Sequence, residues 1–248
     1  MSQAIDGGAG AGHTASRMLE HLTDGTVYAF EPFPGNHRFF DKTDSRVVLI
    51  KKALAAENRR MRFHVPSVVP AGSSWGDGSM EGYSSLGFLV DDRDADEVVE
   101  TIEVEAVRAD DVIDRAVDFV KLDLQGGELD ALRGMSGLLS QVSLMWVEYT
   151  GQEGLLDYLS EQGFLVYDTE YFLWGEPSDR ARRMFHVSRE GVPLSTGQTT
   201  WTGFKKTRWQ GFEEQFHEFK REISLGETDF VCVNSRYIDS FLAAAQLI

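Results

Sequence analysis

Cysteine is almost missing from this chain. Cys232 is the single example among 248 residues, which excludes an internal disulfide and a cysteine zinc cage. It lies in the apolar run Phe230-Val231-Cys232-Val233 and is expected to be an inert core thiol in a reducing compartment. Long apolar runs are missing too. None approaches membrane-spanning length, and no signal-peptide pattern precedes the glycine-rich start, so a cytoplasmic location is expected. Positive charge is in short supply: 24 Lys and Arg face 40 Asp and Glu, for a net charge of −16. Such a surface repels phosphate, which argues against a nucleic-acid or anionic-membrane partner. No repeat, low-complexity tract or linker breaks the chain, and residues 1–248 read as a single domain.

What is present begins at once. Ala4-Ile5-Asp6-Gly7-Gly8-Ala9-Gly10-Ala11-Gly12-His13-Thr14 is an apolar stub, an acid, and glycines at alternate positions, with a helical pattern behind them. This is the order of a strand, a tight turn and a helix N-terminus that a nucleotide-like ligand can approach. Glycine at this spacing permits positive φ and removes the Cβ that would hold a ligand off. Glycine-rich turns also close ordinary β-α connections. Only five residues precede Asp6; a buried first strand usually has more chain leading into it, so this start reads as shortened or lean.

Ala15, Met18, Leu19 and Leu22 then mark one helix face, ended by Asp24-Gly25. Thr26-Val27-Tyr28-Ala29-Phe30 reads as a buried strand that stops at Glu31-Pro32. Glu31 lies 19 residues past Gly12, where an acid can accept both hydroxyl protons of a ribose. The alternative is a solvated strand-end acid. A helical stretch follows from Pro34 through Phe40. Val47 to Ile50 is expected as a third strand continuing toward Ala53 and Leu54, and Met61 to Val65 as an edge strand. Residues 66 to 82 read as a loop, and Thr101 to Val107 as another strand, before a short helix at Ala109-Asp110-Asp111.

The second informative stretch is Val117-Asp118-Phe119-Val120-Lys121-Leu122-Asp123-Leu124-Gln125-Gly126-Gly127-Glu128. An apolar strand delivers Asp123 to its carboxyl end, and glycines open a helix through Leu129 and Leu132. In open α/β sheets, ligands sit outside the carboxyl ends of strands. Asp6, Glu31 and Asp123 would share one crevice there, although any one of them could be a helix N-cap. Val142 to Val147 is expected as a fifth strand ending at Glu148, Gly163 to Tyr167 as a sixth, and Phe230 to Val233 as the last, before a terminal helix from Ser235 to Ala245.

Residues 169–228 break the β/α rhythm. They hold Trp174, Trp201 and Trp209, together with Arg180, Arg182, Arg183, Arg189, Lys205, Lys206, Arg208, Lys220 and Arg221, nine of the 24 basic residues. An insertion of this kind is either a lid over substrate or a solvated basic face that meets a second copy of the chain.

With both stretches in place, the chain resembles the FkbM family of S-adenosylmethionine-dependent methyltransferases. The resemblance rests on Ile5 to Gly12, on Ala29-Phe30-Glu31-Pro32-Phe33-Pro34-Gly35-Asn36, on Ser84-Ser85-Leu86, on Val107 to Asp111, and on Phe119 to Glu128. It covers about residues 4 to 168 and the closing strand. It implies a Rossmann-like α/β fold with a seven-stranded, mostly parallel sheet, helices on both faces, and a last strand antiparallel to the sixth. It implies S-adenosylmethionine as cofactor, with Asp6, Gly8 and Gly10 holding its methionine part and Ala9, Thr14, Pro32 and Ser85 also binding the cofactor. Glu31 would hold the ribose, with Phe33 and Asn36 nearby, and Asp123 would face the methyl donor or acceptor. The implied acceptor is a hydroxyl of a sugar, polyketide or related small metabolite, of anionic or glycosylated character. No metal site is expected. The family usually carries Glu where this chain has Gln125 and Ala where it has Gly127, which weighs against a metal or base role at position 125.

Methyl transfer from a sulfonium is an in-line displacement, so alignment and a dry crevice matter most. A hydroxyl nucleophile calls for a general base. Asp123 is the first candidate and Glu148 the second, with His64 and His186 behind them. Two rivals stay open. Gly10-Ala11-Gly12-His13-Thr14-Ala15 satisfies G-x-G-x-x-A with an acid beyond it, the pattern of a dinucleotide oxidoreductase. A methyltransferase fold used only as a binding subunit is the other.

Overall fold

The computed structural model describes residues 3–65, 88–90, 100–168, 185–187 and 228–240. The expected loop at 66–82, Ser85 and nearly all of 169–228 lie outside them. Two compact units divide the chain, Met1–Gln141 and Val142–Ile248.

The first unit is built on β1 (Gln3–Gly7), β2 (Thr26–Phe30), β3 (Val47–Ile50) and a later strand, β8 (Phe119–Leu122). All pairings are parallel: β1 lies between β8 and β2, and β3 flanks β2. Every residue of β1 is buried, as expected of a strand paired on both edges in a parallel sheet. The glycine turn leads into α1 (His13–Leu19). Small residues let this helix lie close to the sheet: Ala4, Ala9, Ala15 and Ala29 pack with Leu19, Val27, Phe40 and Val47, and Met18 and Leu22 lean on the cluster. Burying a side chain the size of Leu19 or Phe40 contributes about 1.5–3 kcal/mol. Pro34 opens a 3-10 helix, Pro34–Lys42, in place of an α-helix.

Two strand expectations need correction. The chain does not run on from Ile50 as one strand. It leaves the parallel sheet, and β4 (Ala53–Leu54) pairs with β7 (Glu100–Val107) in a second sheet of four strands. Nor is the segment around Met61 an edge. It forms β5 (Arg59–Val65), which pairs with β7 on one side and β6 (Phe88–Val90) on the other. The alternation of polar and apolar residues was real, but it recorded a sheet with one covered face. Phe63, Val65, Val104 and Ala106 cover that face with Phe33, Ala53 and Ala55. A 3-10 turn at Ala109–Asp111 follows, and then β8. Beyond β8 come α2 (Glu128–Gly134) and α3 (Ser136–Leu139). Asp110 accepts from the backbone N–H groups of Gly137 and Leu138 at 3.1 and 3.2 Å, so it caps α3.

The second unit holds β9 (Leu144–Tyr149), α4 (Leu155–Glu161), β10 (Phe164–Asp168), β11 (Phe185–Val187) and β12 (Thr228–Asn234). The last strand, β12, lies between β9 and β10 and is antiparallel to both. The fold is thus mixed α/β with a mostly parallel sheet in the first unit and the expected antiparallel closing strand. β11 adds a strand beside β10 within the range read as an insertion. Glu148 does not end its strand; it is the penultimate residue of β9, paired in register with Asp229. Cys232 is fully buried, and burial pushes its thiol well above the usual range, as suits an inert core residue. Ser235–Tyr237 is a 3-10 turn, and the described chain stays helical to residue 240. Among the described residues no helix is long and apolar enough to cross a membrane.

Candidate functional site

In the first unit, β1, β2 and β8 run parallel, so their carboxyl ends share one edge of the sheet. A hollow of about 150 Å³ lies there. Its polar wall comes from Gly8, Ala9 and Gly10, from Thr14 at the start of α1, and from Glu31, Lys121 and Asp123. Ala53, Leu54, Phe63 and Leu89 form an apolar wall, and Pro32 also lines the space.

The glycines do distinct work. Gly8, Gly10 and Gly12 have φ of 72°, 55° and 78°, values that side chains oppose. A Cβ on Gly8 would collide with the Asp123 carbonyl, and one on Gly12 would come within 2.9 Å of the Phe40 ring. The turn is then fastened from outside. The N–H groups of Gly8 and Ala9 both donate to the Phe30 carbonyl at 3.1 Å. The Gly10 N–H donates to Oε2 of Glu31 at 2.8 Å, and the Phe33 N–H donates to Oε1 at 2.8 Å. The carboxylate is thereby oriented by donors on both of its oxygens, and the Asn36 side chain adds a third. Burial raises the Glu31 carboxyl to about 7 against the pull of these donors and of Asn36.

Asp6 stands at the rung of β1 opposite Lys121 of β8 and is fully buried. The Lys121 ammonium lies 3.4 Å from Oδ1 of Asp6 and 3.3 Å from Oδ2 of Asp123. It also donates to the carbonyls of Gly7 at 3.3 Å and Gly8 at 3.1 Å. Burial alone would favour the neutral amine, but the two carboxylates outweigh it and hold the ammonium above its ordinary value. Burial pushes the Asp6 carboxyl upward, with Lys121 pulling the other way.

Asp123 follows β8 directly, and its N–H donates to the Gly7 carbonyl at 3.2 Å. The turn behind it is held by Glu128, which is fully buried. Its Oε1 accepts from the Leu124 N–H at 2.6 Å and its Oε2 from the Gly126 N–H at 3.1 Å. Gln125 takes φ of 54°, left-handed for a residue with a side chain, and its amide donates to Oδ1 of Asp123 at 3.1 Å.

The structure therefore brings Gly8, Ala9, Gly10, Thr14, Glu31, Pro32 and Asp123 to one hollow. Asp6 sits beneath it, in contact with the wall through Lys121. Phe33 contributes its N–H to Glu31 while its ring packs beside Phe63. Asn36 is buried and reaches Glu31 by a side-chain hydrogen bond. Glu148 is buried in the second unit, and Ser85 is outside the described residues. His64 lies on the second sheet, 3.3 Å from the Thr101 hydroxyl; the His186 side chain is outside the description. Lys121, Phe63 and Leu89 were not picked as site residues from sequence. The alternation around Phe63 could have suggested a wall residue; for Lys121 the signal was its place two residues before Asp123 in an otherwise apolar strand. Among the described residues no three His, Cys, Asp or Glu side chains gather as a metal cage.

A parallel α/β sheet with a glycine turn after its central strand and acids at the neighbouring strand ends belongs to the class whose ligands bind at that edge. The Methyltransferase FkbM domain matches residues 6–166, and the chain belongs to this methyltransferase family. Two solved structures are similar to it. One is the methyltransferase FkbM from Methylobacillus flagellatus KT, 17% identical over 66% of this chain and 39% of that one, with a TM-score of 0.44. The other is the precorrin-6y C5,15-methyltransferase from Geobacter metallireducens GS-15, 10% identical over 94% of this chain and 79% of that one, with a TM-score of 0.38. The chain thus spans well under two thirds of the Methylobacillus structure's length. Among curated proteins none matches.

Proposed function

We propose that the protein binds S-adenosylmethionine in this hollow and transfers its methyl group to a hydroxyl oxygen of a sugar, polyketide or related small metabolite. The observation that carries the reading is Glu31. Two backbone donors fix its carboxylate at the end of β2, in the same hollow as the glycine turn and Asp123. An acid oriented at the end of the second strand, beside the glycine turn, suits the hydroxyls of a ribose. The glycine backbone and Asp123 suit the methionine part, with Asp6 behind them holding Lys121, and the apolar wall from Ala53 to Leu89 suits a planar base.

The cofactor supplies an activated methyl on a sulfonium. The chain's residues supply alignment and exclusion of water. Asp123, partly exposed in the hollow, is the proposed acceptor of the hydroxyl proton, with Glu148 as second candidate. Carboxylates near a sulfonium strengthen donor binding, which does not by itself speed transfer. Residues 169–228 are proposed to contact acceptor or a second copy of the chain. Residues 1–248 are proposed to work as one domain in the cytoplasm on a small molecule, without nucleic acid or membrane.

Thermal melts and calorimetry with S-adenosylmethionine, S-adenosylhomocysteine and NAD test the reading. Binding of the first two at micromolar concentration supports it. Stabilisation by NAD alone would replace it with the oxidoreductase. The single domain is checked by one cooperative melting transition, and the acceptor by release of S-adenosylhomocysteine against a hydroxylated panel.

A further inference from the structure

Asp123 is held at both ends of its carboxylate. Oδ2 faces the Lys121 ammonium at 3.3 Å, and Oδ1 accepts from the Gln125 amide at 3.1 Å. The two donors reach it from opposite directions along the chain, one from within β8 and one from the turn beyond it. Each is itself constrained. The Lys121 side chain is 12% exposed, and its ammonium is surrounded by Asp6, Asp123 and the carbonyls of Gly7 and Gly8. Gln125 is held at φ of 54°, a conformation that costs a side-chain-bearing residue energy and persists only where its surroundings impose it. Asp123 is 43% exposed, so without these partners its carboxylate would turn toward water and solvate itself.

We propose that Lys121 and Gln125 are positioning residues that clamp the two oxygens of Asp123 and keep its carboxylate turned into the hollow toward the donor's sulfonium; this rests on the S-adenosylmethionine reading above. A fixed carboxylate attracts a cation in the hollow without the reorganisation a solvated one requires. The Lys121 ammonium also ties this acid to the glycine turn, through the carbonyls of Gly7 and Gly8. Among the described residues the charged groups around the clamp are Asp6 on β1, Glu31 at the end of β2, Glu128 behind the turn, and Lys121 and Asp123 themselves.

The donor and its demethylated product differ by one methyl and one positive charge. Their affinity ratio therefore reads the net field at the sulfonium, in which Asp123 attracts and Lys121 repels, and cancels any general loosening of the pocket. Calorimetric affinities of S-adenosylmethionine and S-adenosylhomocysteine are compared for the full chain and for Lys121→Met, Gln125→Gly, Asp123→Asn and the two combinations with Asp123→Asn. Lys121→Met and Gln125→Gly are each expected to lower the donor-to-product ratio by about three- to tenfold. Asp123→Asn lowers it at least as far, and adding either clamp variant to it lowers it no further. Equal weakening of both ligands, a ratio that rises when the Lys121 cation is removed, or a further fall on the Asp123→Asn background overturns the clamp. Glycine accepts the backbone conformation at position 125, so Gln125→Gly decides the matter even if loss of Lys121 leaves Asp6 unpaired and the protein unfolds. A wild-type chain that binds neither ligand overturns the cofactor reading itself, and the clamp falls with it; that result is visible before any variant is made.

Discussion

Glu31 and Gly10 are joined by a 2.8 Å hydrogen bond from the glycine's N–H to Oε2 of the carboxylate. The bond crosses from the end of β2 to the turn after β1, and it makes one group answer for both ligand geometry and loop geometry. The consequences can be measured separately.

The first concerns pH. The Glu31 carboxyl sits at about 7 in the fold against 4.5 ordinarily. Between those values the folded chain holds the extra proton. Unfolding free energy therefore falls as pH rises through this window, by on the order of 3 kcal/mol in all. Asp6, also raised by burial, adds a contribution of the same sign. Above pH 7 the ionised Glu31 is the better acceptor for a diol, so S-adenosylmethionine affinity should climb from about pH 6 to about pH 8 while the ligand-free melting temperature declines. Calorimetry and melts across that range check both trends. A binding profile that stays flat removes Glu31 from the ribose role.

Glu31→Ala deletes the acceptor for two backbone N–H groups, at Gly10 and Phe33. Each orphaned donor costs about 1–3 kcal/mol, less where water can enter. The variant should fold with a lowered melting temperature and lose cofactor affinity by at least tenfold. Glu31→Gln keeps one accepting oxygen and should fall between it and wild type. Unchanged affinity in either variant contradicts the proposed site.

Gly8→Ala tests the turn. It demands φ of 72° from a side-chain-bearing residue and drives a Cβ into the Asp123 carbonyl. Loss of cofactor binding with destabilisation of about 2 kcal/mol or more is expected. Gly163→Ala is the control. It too demands a left-handed backbone, φ of 84°, from a side-chain-bearing residue, but between α4 and β10 of the second unit, so it should lower the melting temperature while the folded fraction still binds the cofactor normally.

Glu128→Gln removes one of the two oxygens that hold the Leu124 and Gly126 N–H groups. A fully buried acid with charge-assisted bonds to backbone donors is worth roughly 1.5–3 kcal/mol per bond. The variant should melt lower and weaken donor binding through the turn that carries Asp123. Full retention of both properties would show that the turn keeps its shape without this anchor.

Much of this was legible in the sequence because it was local. Glycines at alternate positions, an acid closing a short β-branched run, and an acid before paired glycines each announce a strand end within a few residues. Gln125 was visible as a departure, but its backbone conformation was not. Lys121 escaped because its meaning depends on register. In isolation it is a charged residue in a short strand; with β1 alongside, it faces Asp6, 115 residues earlier in the chain, at the same rung. Phe63 and Leu89 escaped for a related reason. They are direct partners across β5 and β6, and nothing local says that the sheet they build reaches the hollow. Ile50 misled for the opposite reason: apolar residues resume at Ala53 and Leu54 after Lys51 and Lys52, while the hydrogen bonding changes partner.

That change of partner has a consequence of its own. The excursion leaves at Ala53 and Leu54 and comes home at Ala106 and Val107, their own in-register neighbours. Such a detour closes on the place where it began. It can lengthen, shrink or be rebuilt without sliding any strand of the parallel sheet, so the hollow's apolar side is open to revision by insertion and deletion while its acidic side stays tied to the frame.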